Sequence, residues 1–284
     1  MLINNWIIAV IFYIIFAVTY NQGYKVLTKN MKKAGALTVL TEAIAGIIAL
    51  LFIPFFEFKL PTNPYVYLFL TIACIFYALN DRISTDVRKE LESSVFSIIK
   101  QTTTVFMIIA GLVFFKEKFV LSKIIGGILI ILSNILVFYK KNSFQNKKCI
   151  CLGLLASFFN TIALIIDVNY SKQFNIALYS SITLSLPALL IFLFERIKIK
   201  ELKQELSMID KKALILVSLS GALMVILKLR AYQLGEVIVI APLCSLTIIL
   251  NVFIGYFILG EKNNLLKKIL AGILITISVI LIKI

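Results

Sequence analysis

Apolar runs of roughly 18–25 residues, each long enough to cross a bilayer as a helix, recur along the whole chain. They cover approximately residues 5–24, 34–56, 64–80, 93–115, 119–139, 149–169, 177–195, 213–231, 236–258 and 264–282. Lysine-rich clusters and turn-forming stretches such as Pro61-Thr62-Asn63-Pro64 and Asn142-Ser143-Phe144-Gln145-Asn146 separate them. The runs lack the two-residue alternation of barrel strands, so the pattern predicts an all-α integral membrane protein with ten transmembrane helices. Between Glu195 and Lys212, charged and apolar residues alternate at helical spacing, which predicts a short amphipathic interfacial helix. No stretch is left over for a soluble domain.

One segment of this pattern occurs twice. Phe114-Phe115-Lys116-Glu117-Lys118 leads into a run carrying Gly126-Gly127, and Ile258-Leu259-Gly260-Glu261-Lys262 leads into one carrying Ala271-Gly272. The two glutamates are 144 positions apart (261 − 117). Downstream an offset of 145 pairs Lys123 with Lys268, Gly127 with Gly272, Ser133 with Ser278 and Leu136 with Leu281. The chain therefore divides into residues 1–145 and 146–284, a duplicated unit of five spans. An odd number of spans per unit turns the second copy upside down relative to the first. Inverted repeats of this kind place a substrate near the bilayer midplane, between the halves.

These paired motifs resemble the signature of the drug/metabolite transporter superfamily, in its EamA-like ten-helix branch. In that branch a small-residue turn and a proline-broken helix precede the glutamate. Gly235 to Glu261, with Ala241-Pro242-Leu243, follows the pattern, whereas Leu91 to Glu117 lacks the proline and carries Ser97, Lys100 and Gln101. The resemblance spans essentially the entire chain, and it implies a transporter with both termini in the cytoplasm. The charge distribution implies the reverse. Of the 29 basic residues, 20 fall on the face opposite the termini, and basic loops stay on the cytoplasmic side. Orientation is left open between these two readings.

Composition narrows the function classes. The chain is 61% hydrophobic and 15% charged, with mean hydropathy +1.00, well beyond a soluble domain. Its net charge of +15 sits at helix ends, where it meets lipid headgroups, and no nucleic-acid partner is expected. There is no histidine, so a coupling proton would have to travel on carboxylates. Cys149-Ile150-Cys151 has the wrong spacing for zinc, and Cys74 and Cys244 lie alone in apolar runs; no metal or other cofactor is expected. The first apolar run reads as a membrane helix, since Asn21 to Lys33 lacks a small-residue cleavage site. No nucleotide loop or nucleophile elbow occurs, and no enzyme activity is expected.

Charged and polar residues inside the runs are the candidates for function, because each charge costs about 2.5–3.5 kcal/mol at a bilayer centre. Ser93, Ser97, Lys100 and Thr104 fall at i, i+4, i+7 and i+11, with Thr103 beside them, forming one polar helix face. Lys100 there can bind a carboxylate or phosphate, or snorkel to the interface. Glu42 has no basic residue at i±3 or i±4 and can pair with Lys100, carry a proton or bind a cation. Asp167 shares a face with Asn160 near the end of its run, where it is either a site residue or a solvated edge. Pro242 frees a backbone carbonyl, and Cys244, Thr247 and Asn251 follow it at helical spacing. Tyr13, Phe16 and Tyr20 line one face of the first run, as an aromatic cage or as packing. Lys228 and Arg230 end the eighth run, where headgroup contact or carbonyl capping suits Arg230. Glu117 and Glu261 are expected to be structural, in tight loops at opposite faces.

The function expected is secondary active transport of a small polar metabolite, an amino acid or another zwitterionic or anionic solute, by alternating access. Lys100, Ser97, Thr103, Thr104, Glu42, Asn160, Asp167, Pro242, Thr247, Asn251, Tyr13 and Tyr20 would form the binding site, with Glu42 and Asp167 coupling transport to protons. Export of organic cations or quaternary amines is a second reading, and a non-transporting membrane accessory protein a third. A multi-pass protein of the cell membrane, monomeric or homodimeric, fits all three.

Overall fold

The computed structural model describes residues 5–114, 121–138, 147–258, 260 and 265–283. Those residues form helices and no strand. In chain order they are α1 Trp6–Lys29, α2 Ala34–Leu50, α3 Pro64–Glu90, α4 Ser93–Lys100, α5 Thr102–Val113, α6 Leu121–Phe138 and α7 Lys147–Tyr170. There follow α8 Ile176–Phe194, α9 Ile199–Met208, α10 Lys211–Leu234, α11 Val237–Cys244, α12 Thr247–Phe257 and α13 Leu265–Lys283. Among the described residues six stretches are long and apolar enough to cross a membrane, and α2 is a shorter apolar helix. One of the six, Val95–Val113, runs through the junction of α4 and α5. The protein is a multi-pass, all-α membrane protein.

Local sequence sets the helix starts. Asn63 accepts a hydrogen bond from the Tyr65 N–H, and Pro64 opens α3, so the predicted Pro-Thr-Asn-Pro turn becomes a cap. Asn5, Asn175 and Asp210 cap α1, α8 and α10 in the same way. Large apolar side chains such as Ile7, Ile11 and Ile15 on α1 point outward, as a lipid-facing surface requires.

Four element boundaries differ from the sequence reading. The third run extends to Glu90, ten residues past the predicted end at 80, making a helix of 27 residues and about 40 Å. The second helix stops at Leu50 and a 3-10 turn, Ile53–Phe55, follows. The fourth and ninth runs are each broken in two, at Gln101 and at Ser245-Leu246. The second break lies beyond Pro242, and the first occurs with no proline nearby, so proline is not the common cause. In both, three-residue hydrogen bonds replace the α-helical ones: Gln101 N–H to Ile98 O (3.1 Å), Thr104 N–H to Gln101 O (2.8 Å), Leu246 N–H to Leu243 O (3.1 Å) and Ile248 N–H to Ser245 O (3.0 Å). Gln101 and Ser245 are 144 positions apart (245 − 101), the separation of the repeated glutamates.

The most extensive helix contacts join α1 to α10, α3 to α7, α2 to α8 and α6 to α13. Close approach of α2 and α8 depends on Gly46, whose carbonyl accepts from Ser181 Oγ at 2.8 Å; a Cβ there would strike Ser185 Oγ. Between α6 and α13, Ser278 Oγ donates to Gly126 O at 2.7 Å, which ties together two residues of the repeated motif. Glu117 and Glu261 lie outside the described residues.

The predicted amphipathic helix is α9. Its buried Glu205 carboxylate accepts from the backbone N–H groups of Lys32 (3.1 Å to each oxygen) and Lys33 (2.9 Å), just ahead of α2. Glu201 pairs with Lys33 at 3.0 Å. Arg82 joins Glu195, at the end of α8, to Asp86 on its own helix.

A mixed-charge chamber as candidate functional site

The polar residues that the sequence scatters over six runs converge on two adjoining cavities, of about 180 and 120 Å³. Both are lined by Tyr13, Tyr20, Asp81, Asn160, Met224 and Lys228, so they form one chamber. The α4/α5 junction sends Ser97, Lys100, Gln101, Thr103 and Thr104 into the larger cavity, and the α11/α12 junction sends Cys244, Ser245, Thr247 and Asn251. The two junctions touch: the hydroxyls of Thr104 and Ser245 are 3.0 Å apart, and Thr104 also donates to Gln101 Oε1 at 3.1 Å.

Lys100 does not meet Glu42 directly. Its Nζ donates to Asn80 Oδ1 at 2.5 Å, and Asn80 Nδ2 donates to Asp81 Oδ1 at 2.6 Å. Asp81 lines both cavities and Glu42 the smaller one. Glu42 Oε2 is buried without a hydrogen-bond partner. A lysine, an amide and two carboxyls thus form one polar path from the larger cavity into the smaller.

Asp167 is no solvated edge. It is 1% exposed, lines the smaller cavity, and accepts from Tyr77 Oη (2.5 Å) and Tyr179 Oη (2.7 Å). Asn160 lines both cavities and reaches Thr103 Oγ1 at 3.5 Å. Asn251 lines the larger cavity and receives Gln22 Nε2 on its side-chain and main-chain oxygens, each at 3.0 Å. Lys228 stands over the Tyr13 ring, 6.0 Å from its centroid. Of the predicted aromatic trio, Tyr13 and Tyr20 line the chamber and Phe16 does not. The Pro242 side chain lies outside the described residues. Arg230 is apart from the chamber, donating to Gln233 Oε1 at 3.3 Å.

Sequence reading missed the α3 contribution. Tyr77, Asp81, Ser84 and Arg88 fall at i, i+4, i+7 and i+11, the spacing that singled out Ser93, Ser97, Lys100 and Thr104. That stripe was the available signal. Arg88 is the most informative of these residues. Its guanidinium carbon lies 5.1 Å from the Tyr20 ring centroid, 4.8 Å from Tyr24 and 4.4 Å from Phe96. These three rings form an aromatic cage other than the expected trio of Tyr13, Phe16 and Tyr20, sharing only Tyr20 with it, and the protein's own arginine occupies it.

A helical membrane protein with a buried polar chamber between its helices is the class these observations define. Residues 4–139, just under half of the chain, match the EamA-like transporter family, and this match supports membership of the chain in the drug/metabolite transporter superfamily. That family is one of transporters, and the match points to a membrane transporter of small solutes. No curated protein matches the chain. A solved structure described only as a crystal structure of a protein superposes on 96% of this chain and 98% of its own, with TM-score 0.66 at 12% identity. That likeness is one of fold, and it extends through both halves.

Proposed function

We propose that the protein is a secondary active transporter that carries a small zwitterionic or anionic metabolite, of amino-acid size, by alternating access. The observation that carries this reading is the sorting of charge within the chamber. The larger cavity has Arg88, Lys100 and Lys228 against one acid, Asp81. The smaller has Glu42, Asp81 and Asp167 against one base, Lys228. A zwitterion can lie along this gradient with its carboxylate toward the basic end and its amine toward the acidic end.

Alternating access follows if the chain is ten spans in two inverted halves, residues 1–145 and 146–284. Exchanging the halves maps α1 with α10 onto α7 with α3 and leaves α2 with α8, and α6 with α13, as self-paired, in keeping with the helix contacts observed. The equal spacing of the repeated glutamates and of the two helix breaks supports the same plan. Glu42 with Asp81, and Asp167, are the groups we assign to a coupling proton, in a cell-membrane protein that works as a monomer or homodimer. Export of organic cations is the weaker reading, because Arg88 fills the aromatic cage and two further bases line the same cavity. A non-transporting accessory role gives no reason for a sign-sorted cavity. The test is a metabolite-library thermal-shift screen on purified protein, followed by counterflow in proteoliposomes. Amino acids or other zwitterionic and anionic solutes should be the hits that exchange; hits confined to quaternary amines would overturn the reading.

A further inference from the structure

Arg88 sits in the last turn of α3, 9% exposed, and its side chain lines the larger cavity. Among the described residues no carboxylate lies within ion-pair distance of it, and its guanidinium makes no hydrogen bond. The contrast with Arg82, six residues earlier and bound to two carboxylates, is direct. A buried guanidinium without a carboxylate in contact is costly, and the side chain is nonetheless held firmly. Lys25 Nζ binds the carbonyls of Arg88 (2.7 Å), Lys89 (3.1 Å) and Leu91 (2.6 Å), which closes the end of α3. Tyr24 Oη is engaged by Thr41 (3.2 Å) and Thr85 (3.0 Å), and Thr85 by Thr38 (2.7 Å), so its ring is a fixed wall of the cage.

An aromatic cage holds a cation without neutralising it. The ring faces offset part of the desolvation cost, while the full charge and the planar set of N–H donors remain available to the cavity. A carboxylate partner would have consumed both. Lys100 is differently placed, since one of its donors is already committed to Asn80 Oδ1.

We propose that Arg88 is the anchor for an oxyanionic group of the transported solute, a carboxylate or a phosphate, gripped by two parallel N–H donors. This rests on the transport reading above and adds to it the binding group and the end of the chamber that takes it. Specificity then follows: a solute whose carboxylate is replaced by a carboxamide leaves the arginine unpaired and is rejected.

The test uses the full chain in detergent, with thermal shift titrated by glycine, sodium acetate and potassium phosphate, and by acetamide and potassium chloride as controls. Wild type should respond to the oxyanions and not to acetamide. The more strongly stabilising of acetate and phosphate tells the two groups apart. Arg88→Gln should bind them at least about tenfold more weakly. Arg88→Lys should keep a response to anions but lose the preference for oxyanions over chloride, because the fork is gone while the charge stays. Phe96→Leu, which retains the arginine and opens the cage, should weaken the same response, and it decides the matter if Arg88→Gln does not fold. Oxyanion binding by Arg88→Gln within about twofold of wild type, equal responses to acetate and acetamide, or no oxyanion response in wild type would overturn the proposal. Proteoliposome counterflow separates it from the broader reading. An Arg88-dependent oxyanion response without flux leaves the site and removes transport; flux with an unaffected Arg88→Gln does the opposite.

Discussion

The hydroxyls of Thr104 and Ser245 lie 3.0 Å apart and join the two places where a helix is interrupted. Each belongs to a short segment whose normal backbone bonds are replaced, and the contact crosses from one half of the chain to the other. Removing one hydroxyl deletes this contact and leaves its partner a single bond, Thr104 to Gln101 Oε1 or Ser245 to Ala241 O. Thr104→Val and Ser245→Ala should each cost about 0.5–1.5 kcal/mol, and the double variant should cost less than their sum. A double-mutant cycle in thermal or denaturant unfolding measures this; strict additivity would mean that the breaks are not coupled.

Asp167 binds two tyrosines, one on α3 and one on α8, from its own position on α7. Asp167→Ala should lower stability by about 2–4 kcal/mol, because both phenols lose their acceptor in a buried site. Asp167→Asn, which keeps one acceptor oxygen, should cost less. Unfolding midpoints of the two variants that do not differ would contradict this ordering.

At the edge of the membrane region, Glu205 does for α2 what a capping residue usually does from within the chain. Glu205→Ala should cost about 0.5–2 kcal/mol through loss of bonds to the Lys32 and Lys33 N–H groups. Hydrogen exchange at the first turn of α2 should rise in this variant while the rest of the molecule stays protected. An unchanged rate there would show that α9 does not hold that helix end.

Glu201, exposed on the same helix, has its carboxyl held below the ordinary range, first by the Lys198 backbone N–H and then by the Lys33 side chain. The folded state thus prefers the ionised form. Its small contribution is fully present above the ordinary carboxylate value, about 4.3, and is lost as pH falls through the lower folded value. Glu201→Gln should flatten the acid limb of a melting-temperature profile below about pH 5 and leave the neutral region little changed. A steeper acid limb would reverse the assignment.

Much of this was legible in the sequence, and the gaps have physical causes. Hydrophobic run length located the six described stretches long and apolar enough to span, because in lipid the apolar stretch is itself the structural requirement. The face bearing Ser97, Lys100 and Thr104 was readable because helical period alone places those residues together. The end of α3 was not. Asp81, Arg82, Asp86 and Arg88 lower the local hydropathy, and the chamber and the Glu195 contact that accommodate them are tertiary. Nor could the sequence say that Lys100 meets Asn80, since Glu42 on another run offered it a charged partner. The break at Gln101 carries no proline and no glycine, so nothing local announces it. What marks it is tertiary, the contact of Thr104 with the second break at Ser245.

On the proposed function, the chamber binds and moves a small zwitterionic or anionic solute through its sorted charges. Lys100, at the α4/α5 junction and tied through Asn80 to the acidic side, tests that claim most directly. The measurement is counterflow of a radiolabelled amino-acid panel into proteoliposomes carrying wild type or Lys100→Ala, with thermal unfolding as the check on folding. The account predicts exchange by wild type and a loss of at least about a hundredfold in the variant, with its fold retained. Equal exchange by both proteins would contradict it.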